Sequence, residues 1–212
     1  AVIEGSGLLL IDSGGQYLGG TTDITRVVPI GAITAEHRRD FTLVLKAMMA
    51  LSRARFPRGL RSPLLDAIAR APLWAEGLDY GHGTGHGVGY FLNVHEGPHV
   101  LSVHAAADAH TAMEPGMITS IEPGLYRPGQ WGIRIENLAM NVDAGRTEFG
   151  EWLAFETLTL CPIDTRCIDP SLLRADEREW LDAYHATVRE RVGPRVSGDA
   201  ADWLAERTRP LA

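Results

Sequence analysis

Cysteine is scarce in this chain of 212 residues: there are two, Cys161 and Cys167, and they do not form a C-x-x-C pair. A disulfide scaffold or a thiolate metal site is therefore excluded, and the thiols read as free in a reducing, cytoplasmic setting. No apolar run approaches the ~20 residues needed to cross a bilayer, so no membrane partner is expected. The opening Ala-Val-Ile-Glu reads neither as a signal peptide nor as a natural start, and an upstream part is expected to be missing. No block of five or more basic residues occurs and the net charge is −7, which argues against nucleic acid, because phosphate binding needs clustered Lys and Arg. No internal repeat or low-complexity segment interrupts the chain.

What is present is the profile of a folded protein able to bury a core, with 45% apolar and 22% charged residues. Gly7 to Asp12 (GLLLID) reads as a buried strand, and Gln16 to Pro29, rich in β-branched residues, as a second. Phe41, Val44, Leu45, Met48 and Leu51 recur at helical spacing between Thr34, a suitable N-cap, and about Phe56, with Pro57 as the stop. Ser62-Pro63 predicts a second helix, cap followed by proline. Residues 81–98 read as a glycine-rich loop running into a strand at Tyr90 to Val94. Further strands are expected at Met117 to Glu122, Ile133 to Met140 and Leu153 to Cys161, and a last long helix at Asp176 to Val192, with Trp180, Leu181, Tyr184 and Val188 on one stripe. Hairpins dominate the order, so the fold class is α+β.

Two hairpins each carry two carboxylates. Asp12 and Asp23 are symmetric about Tyr17-Leu18, within a glycine-flanked reversal, and would face each other on antiparallel strands. Glu122 and Glu136 are symmetric about Gly129 in Arg127-Pro128-Gly129-Gln130, a strong turn signal. Facing like charges are destabilising unless positive charge lies between them. Three histidines, His82, His86 and His95, compete to join them from the glycine-rich stretch, where glycines let backbone approach a site closely. Four carboxylates and one imidazole make a hard ligand field that suits Mn²⁺, with Co²⁺ or Zn²⁺ as competitors.

Residues 11–26 (IDSGGQYLGGTTDITR), GTGHGVGYFLNVHEGP, SIEPGLY and GIRIEN together resemble, in order and spacing, the motifs of the creatinase/aminopeptidase ("pita-bread") metallopeptidases. FLNVHEGP and WLAFETLTLCPID are most similar to the aminopeptidase P branch. The resemblance implies a pita-bread fold lacking its N-terminal helices and first strand, with residues 1–212 as the C-terminal portion of a catalytic domain and a helical tail at about 168–212. It implies two divalent ions held by Asp12, Asp23, His86, Glu122 and Glu136: Asp12 on one, Asp23 and Glu136 bridging, His86 with Glu122 on the second. Glu122 would also move the proton once the ions have activated water. His95 and His82 would contact the substrate, and Arg134 would orient the ligand carboxylates. The implied reaction cleaves between an N-terminal residue and a following proline, in a homodimeric full-length enzyme. Prolidase activity or a silent binding domain of the same fold are the alternatives. His37, His99, His104, His110 and His185 are expected to be structural or solvent-exposed.

Overall fold

The computed structural model describes residues 2–211. The chain opens with a long two-stranded ribbon, β1 (Gly7–Tyr17) and β2 (Gly20–Ile30), closed by Leu18-Gly19. Helix α1 (Ala35–Ser52) follows, then β3 (Arg55–Pro57), a short 3-10 turn (Ser62–Leu65) and α2 (Asp66–Trp74). Six short or medium elements come next: β4 (Gly85–His86), β5 (Val100–Leu101), β6 (Ile118–Ile121), β7 (Gly124–Arg127), β8 (Trp131–Arg134) and β9 (Asn137–Thr147). Strand β10 (Gly150–Thr157) and helices α3 (Ala175–Val192) and α4 (Asp199–Arg207) complete the chain. The mixture is the α+β class expected. No helix of the described residues is long and apolar enough to cross a membrane.

Helix α1 is the hub of the core. Thr34 caps it as expected, accepting from the His37 amide at 3.2 Å, while the His37 ring accepts from the Thr34 amide at 3.1 Å. Its Phe41, Val44, Leu45, Met48, Met49 and Leu51 are buried in one cluster with Ile121, Ile133, Ile135 and Leu153 from the strands and Leu181 and Val188 from α3. Buried Asp40 on the same helix accepts two bonds from Arg127 (2.5 and 2.9 Å) and one from the Trp131 indole (3.1 Å). It thereby holds both ends of the β7–β8 turn. In that turn Gly129 takes φ 73°, and the Gln130 amide reaches the Arg127 carbonyl at 2.9 Å, as the Pro-Gly pair requires.

Several expected boundaries moved, each for a visible reason. The GLLLID strand extends to Tyr17 and is only half-buried, with Ile11 exposed, because the ribbon pairs with no third strand among the described residues. Helix α1 stops at Ser52 rather than near Pro57: Arg55–Pro57 is drawn into an edge ladder with β10, burying Phe56 opposite Leu153. Ser62 does not cap α2, since its hydroxyl is engaged with the Val100 backbone at 2.9 and 3.0 Å. Tyr90 to Val94 is not a strand. The chain doubles back there, Gly89 amide to Asn93 carbonyl at 2.8 Å, with Leu92 at φ 64°.

The expected Ile133–Met140 strand splits into β8 and β9, because Pro123 on the facing strand has no amide to continue the ladder. Strand β10 starts earlier than expected and ends at Thr157, since the carbonyls of Cys161 and Pro162 turn to Arg26 instead. Helix α4, with acidic Asp199 and Asp202 in its first turn, falls within the stretch at about 168–212 expected to be a helical tail.

Arg26 is buried and meets no carboxylate. Its guanidinium donates to the carbonyls of Thr25 (2.9 Å), Glu136 (2.5 Å), Cys161 (3.0 Å) and Pro162 (3.2 Å), and to Asn137 Oδ1 (2.7 Å) and Tyr184 OH (3.0 Å). One side chain thus ties β2, the β8–β9 break, the tail and α3 together.

Behind it lies His185, fully buried, whose Nε2 accepts from the Ile163 amide at 3.1 Å. Burial pushes its pKa down from 6.5 to about 4. The unfolded chain takes up this proton near pH 6.5 and the folded chain only near pH 4. Stability is therefore lost as pH falls through that window, by on the order of 3 kcal/mol from this group. Denaturation measured at pH 7 and pH 4.5 should show a larger loss for the natural protein than for His185→Gln. An equal loss would mean that His185 is not the titrating group.

Candidate metal centre

A cavity of about 550 Å³ is lined by His82, His86 and His95 and by Glu122 and Arg134 of the Pro-Gly hairpin, and the ribbon reaches its edge through the contact of Asp12 with Arg134. In the ribbon, Asp12 lies opposite Thr25 and Asp23 opposite Gly14, so the aspartates are not directly paired as expected. The turn sits at Leu18-Gly19, one position later than the symmetry about Tyr17-Leu18 assumed. This displaces the pairing by two residues. An even displacement keeps the side-chain face, so the aspartates become diagonal neighbours on one face.

Glu122 and Glu136 occupy the gap between two ladders whose registers, Ile121 with Asn137 and Gly124 with Arg134, run on either side of them as expected. In that gap one backbone bond remains, from the Ile135 amide to the Pro123 carbonyl at 3.4 Å. The Glu122 amide donates to Thr84 at 2.8 Å and the Glu136 amide to Thr25 at 3.1 Å. The hairpin is thereby stitched to the glycine-rich segment on one side and to the ribbon on the other.

His86 is delivered by β4 between two glycines whose smallness is required. A Cβ on Gly85 would collide with the Ser120 carbonyl, and one on Gly87 with the Glu96 carbonyl and the His99 ring. The His86 Nε2 lies 3.3 Å from Glu122 Oε1 and 3.6 Å from Asp23 Oδ2. Three groups of ligand-bearing side chains have donor atoms within 4.8 Å of one another: Asp12, Asp23 and Glu136; His86, Glu122 and Glu136; Asp23, His86 and His95. Asp23, His86 and Glu136 each belong to two of them.

Four carboxylates against one arginine and one imidazole leave the cluster short of positive charge. Burial and the neighbouring Glu122 push the buried Glu136 carboxyl up to about 8, even though Thr25 Oγ1 donates to it at 2.6 Å. Burial alone would lower the His86 pKa, but its bonds to Asp23 and Glu122 prevail and raise it to about 10. Both shifts recruit protons to a place that demands cations. Oxygen donors with one imidazole, gathered from separate strands, fit hard divalent ions.

Arg134 reaches Asp12 Oδ2 at 2.5 Å and stands 3.7 Å from Glu122 Oε2. Burial opposes its charge, but its contacts with Tyr126 and Asp12 raise its pKa further. His82 lines the cavity away from the carboxylates, its Nε2 2.8 Å from Tyr126 OH. His95 was expected apart from the ligands but stands against His86, ring centroids 4.0 Å apart. Of the remaining histidines, His99 and His185 are buried, His37 caps α1, and His104 and His110 are exposed.

Three residues of the site escaped the sequence reading. Thr25 bonds Glu136, Ser120 links the His86 amide (2.9 Å) to Glu122 Oε1 (3.0 Å), and Tyr126 OH sits between His82 and Arg134 (3.1 Å). Thr25 and Ser120 each stand two residues from a carboxylate, and the two-residue period of strands would have found them. Tyr126 had no such signal.

Comparison with known proteins agrees with this geometry. The chain is 46% identical over 216 residues to a probable Xaa-Pro aminopeptidase P of Laccaria bicolor, and 45% identical to that of Coprinopsis cinerea, matched along its whole length. It covers 34% and 35% of those proteins, so it spans about a third of their length. Among solved structures, the X-prolyl aminopeptidase of Caenorhabditis elegans, described as a cytosolic enzyme with a di-nuclear active site, superposes with a TM-score of 0.88. It is 40% identical over 96% of this chain and 34% of that one. The prolidase of Pyrococcus furiosus is more distant, at a TM-score of 0.56 and 33% identity over 63% of this chain and 38% of its own. The pita-bread architecture expected from the motifs is that of these neighbours. With residues 1–140 matching the model of metallopeptidase family M24 and residues 151–211 that of the C-terminal region of peptidase M24, the chain belongs to this family.

Proposed function

We propose that the protein containing this chain is a dinuclear Xaa-Pro aminopeptidase, hydrolysing the bond between an N-terminal residue and a following proline. The observation that carries the reading is the convergence of Asp12, Asp23, His86, Glu122 and Glu136 in overlapping ligand groups, two of them (His86 and Glu122) lining one cavity, in a chain matched end to end by Xaa-Pro aminopeptidase P relatives. Residues 1–212 act as the C-terminal portion of the catalytic domain, with the tail at about 168–212 packed onto it.

Asp12, Asp23 and Glu136 would hold one ion, and His86 and Glu122 with Glu136 the other. Glu136 belongs to both of these groups and Asp23 lies 3.6 Å from His86 Nε2, which supports these two carboxylates as the ones that would be shared between the ions. Mn²⁺ suits this oxygen-rich set, with Co²⁺ or Zn²⁺ as competitors. The ions supply Lewis acidity, polarising a carbonyl and lowering the pKa of water. Glu122, held by Ser120 and adjacent to His86, accepts the proton of the attacking water and returns it to the leaving imino nitrogen of proline. His82 and His95 donate to the substrate from the cavity wall, where charge develops on the carbonyl oxygen. Arg134 fixes Asp12 and Glu122 by charge-assisted contacts. The same reading places the enzyme in the cytosol as a homodimer acting on peptides. It draws support from the cytosolic relative and from a net charge of −7 that disfavours nucleic acid.

Two other assignments have a specific observation behind them. Prolidase activity is favoured by the Pyrococcus furiosus neighbour, and a ligand role for His95 by its place in a group with Asp23 and His86.

Three outcomes test the reading in the full-length protein. Adding Mn²⁺ after chelation should raise the melting temperature, and Glu136→Ala should remove most of that rise; a melting curve indifferent to metal contradicts the dinuclear centre. Peptides of three or more residues with proline second should be cleaved with higher kcat/KM than Xaa-Pro dipeptides, whereas a clear dipeptide preference selects prolidase. His86→Ala should lower both metal content and rate. His82→Ala and His95→Ala should keep two ions while kcat falls roughly ten- to ten-thousand-fold. Loss of metal in His95→Ala with both ions retained in His86→Ala would exchange the two roles.

A further inference from the structure

Asp66 and Arg70, one turn apart on α2, form an ion pair with both side chains essentially out of solvent. Removing two charges from water costs several kcal/mol per ion and is recovered only by good geometry and additional hydrogen bonds, so such a pair is a poor device for stability alone. Here the additional bonds all run to one place. Arg70 Nε donates to both Asp66 oxygens at 3.0 Å, and Nη1 to Asp79 Oδ1 at 2.6 Å and the Tyr80 carbonyl at 2.8 Å. Its Nη2 donates to the His82 carbonyl at 2.5 Å, and the guanidinium lies 4.0 Å from the centre of the Tyr80 ring. Asp66 completes the clamp by accepting from the Thr84 hydroxyl and from the Val103 amide.

The clamped segment, residues 79–84, leads directly into the site. The residue whose carbonyl Arg70 grips carries the imidazole that lines the cavity and meets Tyr126 OH. Two residues on, Thr84 accepts the backbone amide of Glu122, and His86 follows in β4. Tyr80 and Thr84 anchor the ends of this segment by burial, but between them Gly81 and Gly83 flank His82 and offer no side chain to fix the path there. We propose that Arg70, anchored by Asp66, is a positioning residue that sets His82 in the cavity through the backbone carbonyl of His82. This rests on the peptidase reading above, in which His82 contacts the substrate.

Arg70→Lys keeps the charge but loses the planar fork that serves Asp66, Asp79 and two carbonyls at once. In the full-length, Mn²⁺-loaded enzyme acting on a tripeptide with proline second, it should lower kcat about tenfold with KM and metal content little changed. Hydrogen exchange should rise in peptides covering residues 79–84 and not in α1 or α3. The deciding comparison is a cycle with His82→Ala. If Arg70 acts through His82, Arg70→Lys should cost less than about twofold once the imidazole is gone. An equal loss in both backgrounds, or unchanged exchange and rate in the single variant, overturns the proposal.

Should Arg70→Lys fail to fold, Asp79→Asn loosens only the half-exposed arm of the clamp. It should show the same pattern with a smaller effect, and a loss of kcat independent of His82 would again overturn it. The exchange readout does not depend on the reaction. Raised exchange at residues 79–84 in Arg70→Lys, together with a natural enzyme that does not cleave Xaa-Pro peptides, would leave the clamp standing and refute the peptidase reading instead.

Discussion

Electrostatic crowding at the cavity governs much of the rest of the molecule. Asp12, Asp23, Glu122 and Glu136 are brought to one place by two hairpins, and Glu136 is almost wholly buried there. Carboxylates that close repel, and burial removes the water that would screen them. Nearby groups respond in the expected sense: Arg134 is drawn onto Asp12 and toward Glu122, and His86 and Glu136 are pushed toward their protonated forms. A fold holding this arrangement must obtain its stability elsewhere. The apolar cluster around α1 takes in Ile121 and Ile135, the residues next to the glutamates themselves.

Around that core, three buried charged groups act as joints. Arg26 collects carbonyls from three segments and the Tyr184 hydroxyl from a fourth, Asp40 fixes both ends of the β7–β8 turn, and Arg70 grips the approach to His82. Each of them bonds backbone, or residues flanking a turn, beside an element that carries a member of the cavity. Arg26 and Arg70 in particular have few carboxylate partners for their number of donors. Their guanidinium forks satisfy carbonyls left over where strands break, a task for which an apolar side chain offers nothing. Irregular backbone at the site is therefore not loose backbone. Pro123 keeps one bond to Ile135, accepting its amide at 3.4 Å, and lacks the return bond, while Glu122 and Glu136 face each other at a non-hydrogen-bonded position with their amides pointing outward to the carbonyls of Thr84 and Thr25.

The legible parts of this molecule were those with a local cause. The Thr34 cap, the α1 stripe and the Pro-Gly turn at residues 128–129 were read correctly because propensity, capping and turn chemistry act within a few residues. The pairing of Glu122 with Glu136 followed, since a tight turn fixes register over the short distance to the break. The aspartates show the limit. Their reversal offered glycines on both sides and no proline to fix the turn, so the register was misjudged by two residues while the face was right. The Tyr90–Val94 segment had strand-like residues but reversed on itself, and α1 lost its last turn to a ladder with β10, ninety-odd residues away in sequence.

The sequence by itself determined which residues could serve as ligands, their order and the hairpins that bear them, because motif spacing and turn residues are written along the chain. Only the tertiary structure decided which of these groups meet. The contact of His95 with His86, the hydroxyls of Thr25 and Ser120 on the carboxylates, the place of Tyr126 between His82 and Arg134, and the clamp of Arg70 on the His82 carbonyl all depend on packing between elements far apart in the chain. Such contacts are fixed by the burial of α1 and α2 against the strands, and no local propensity encodes the distance between two side chains that share only a common core.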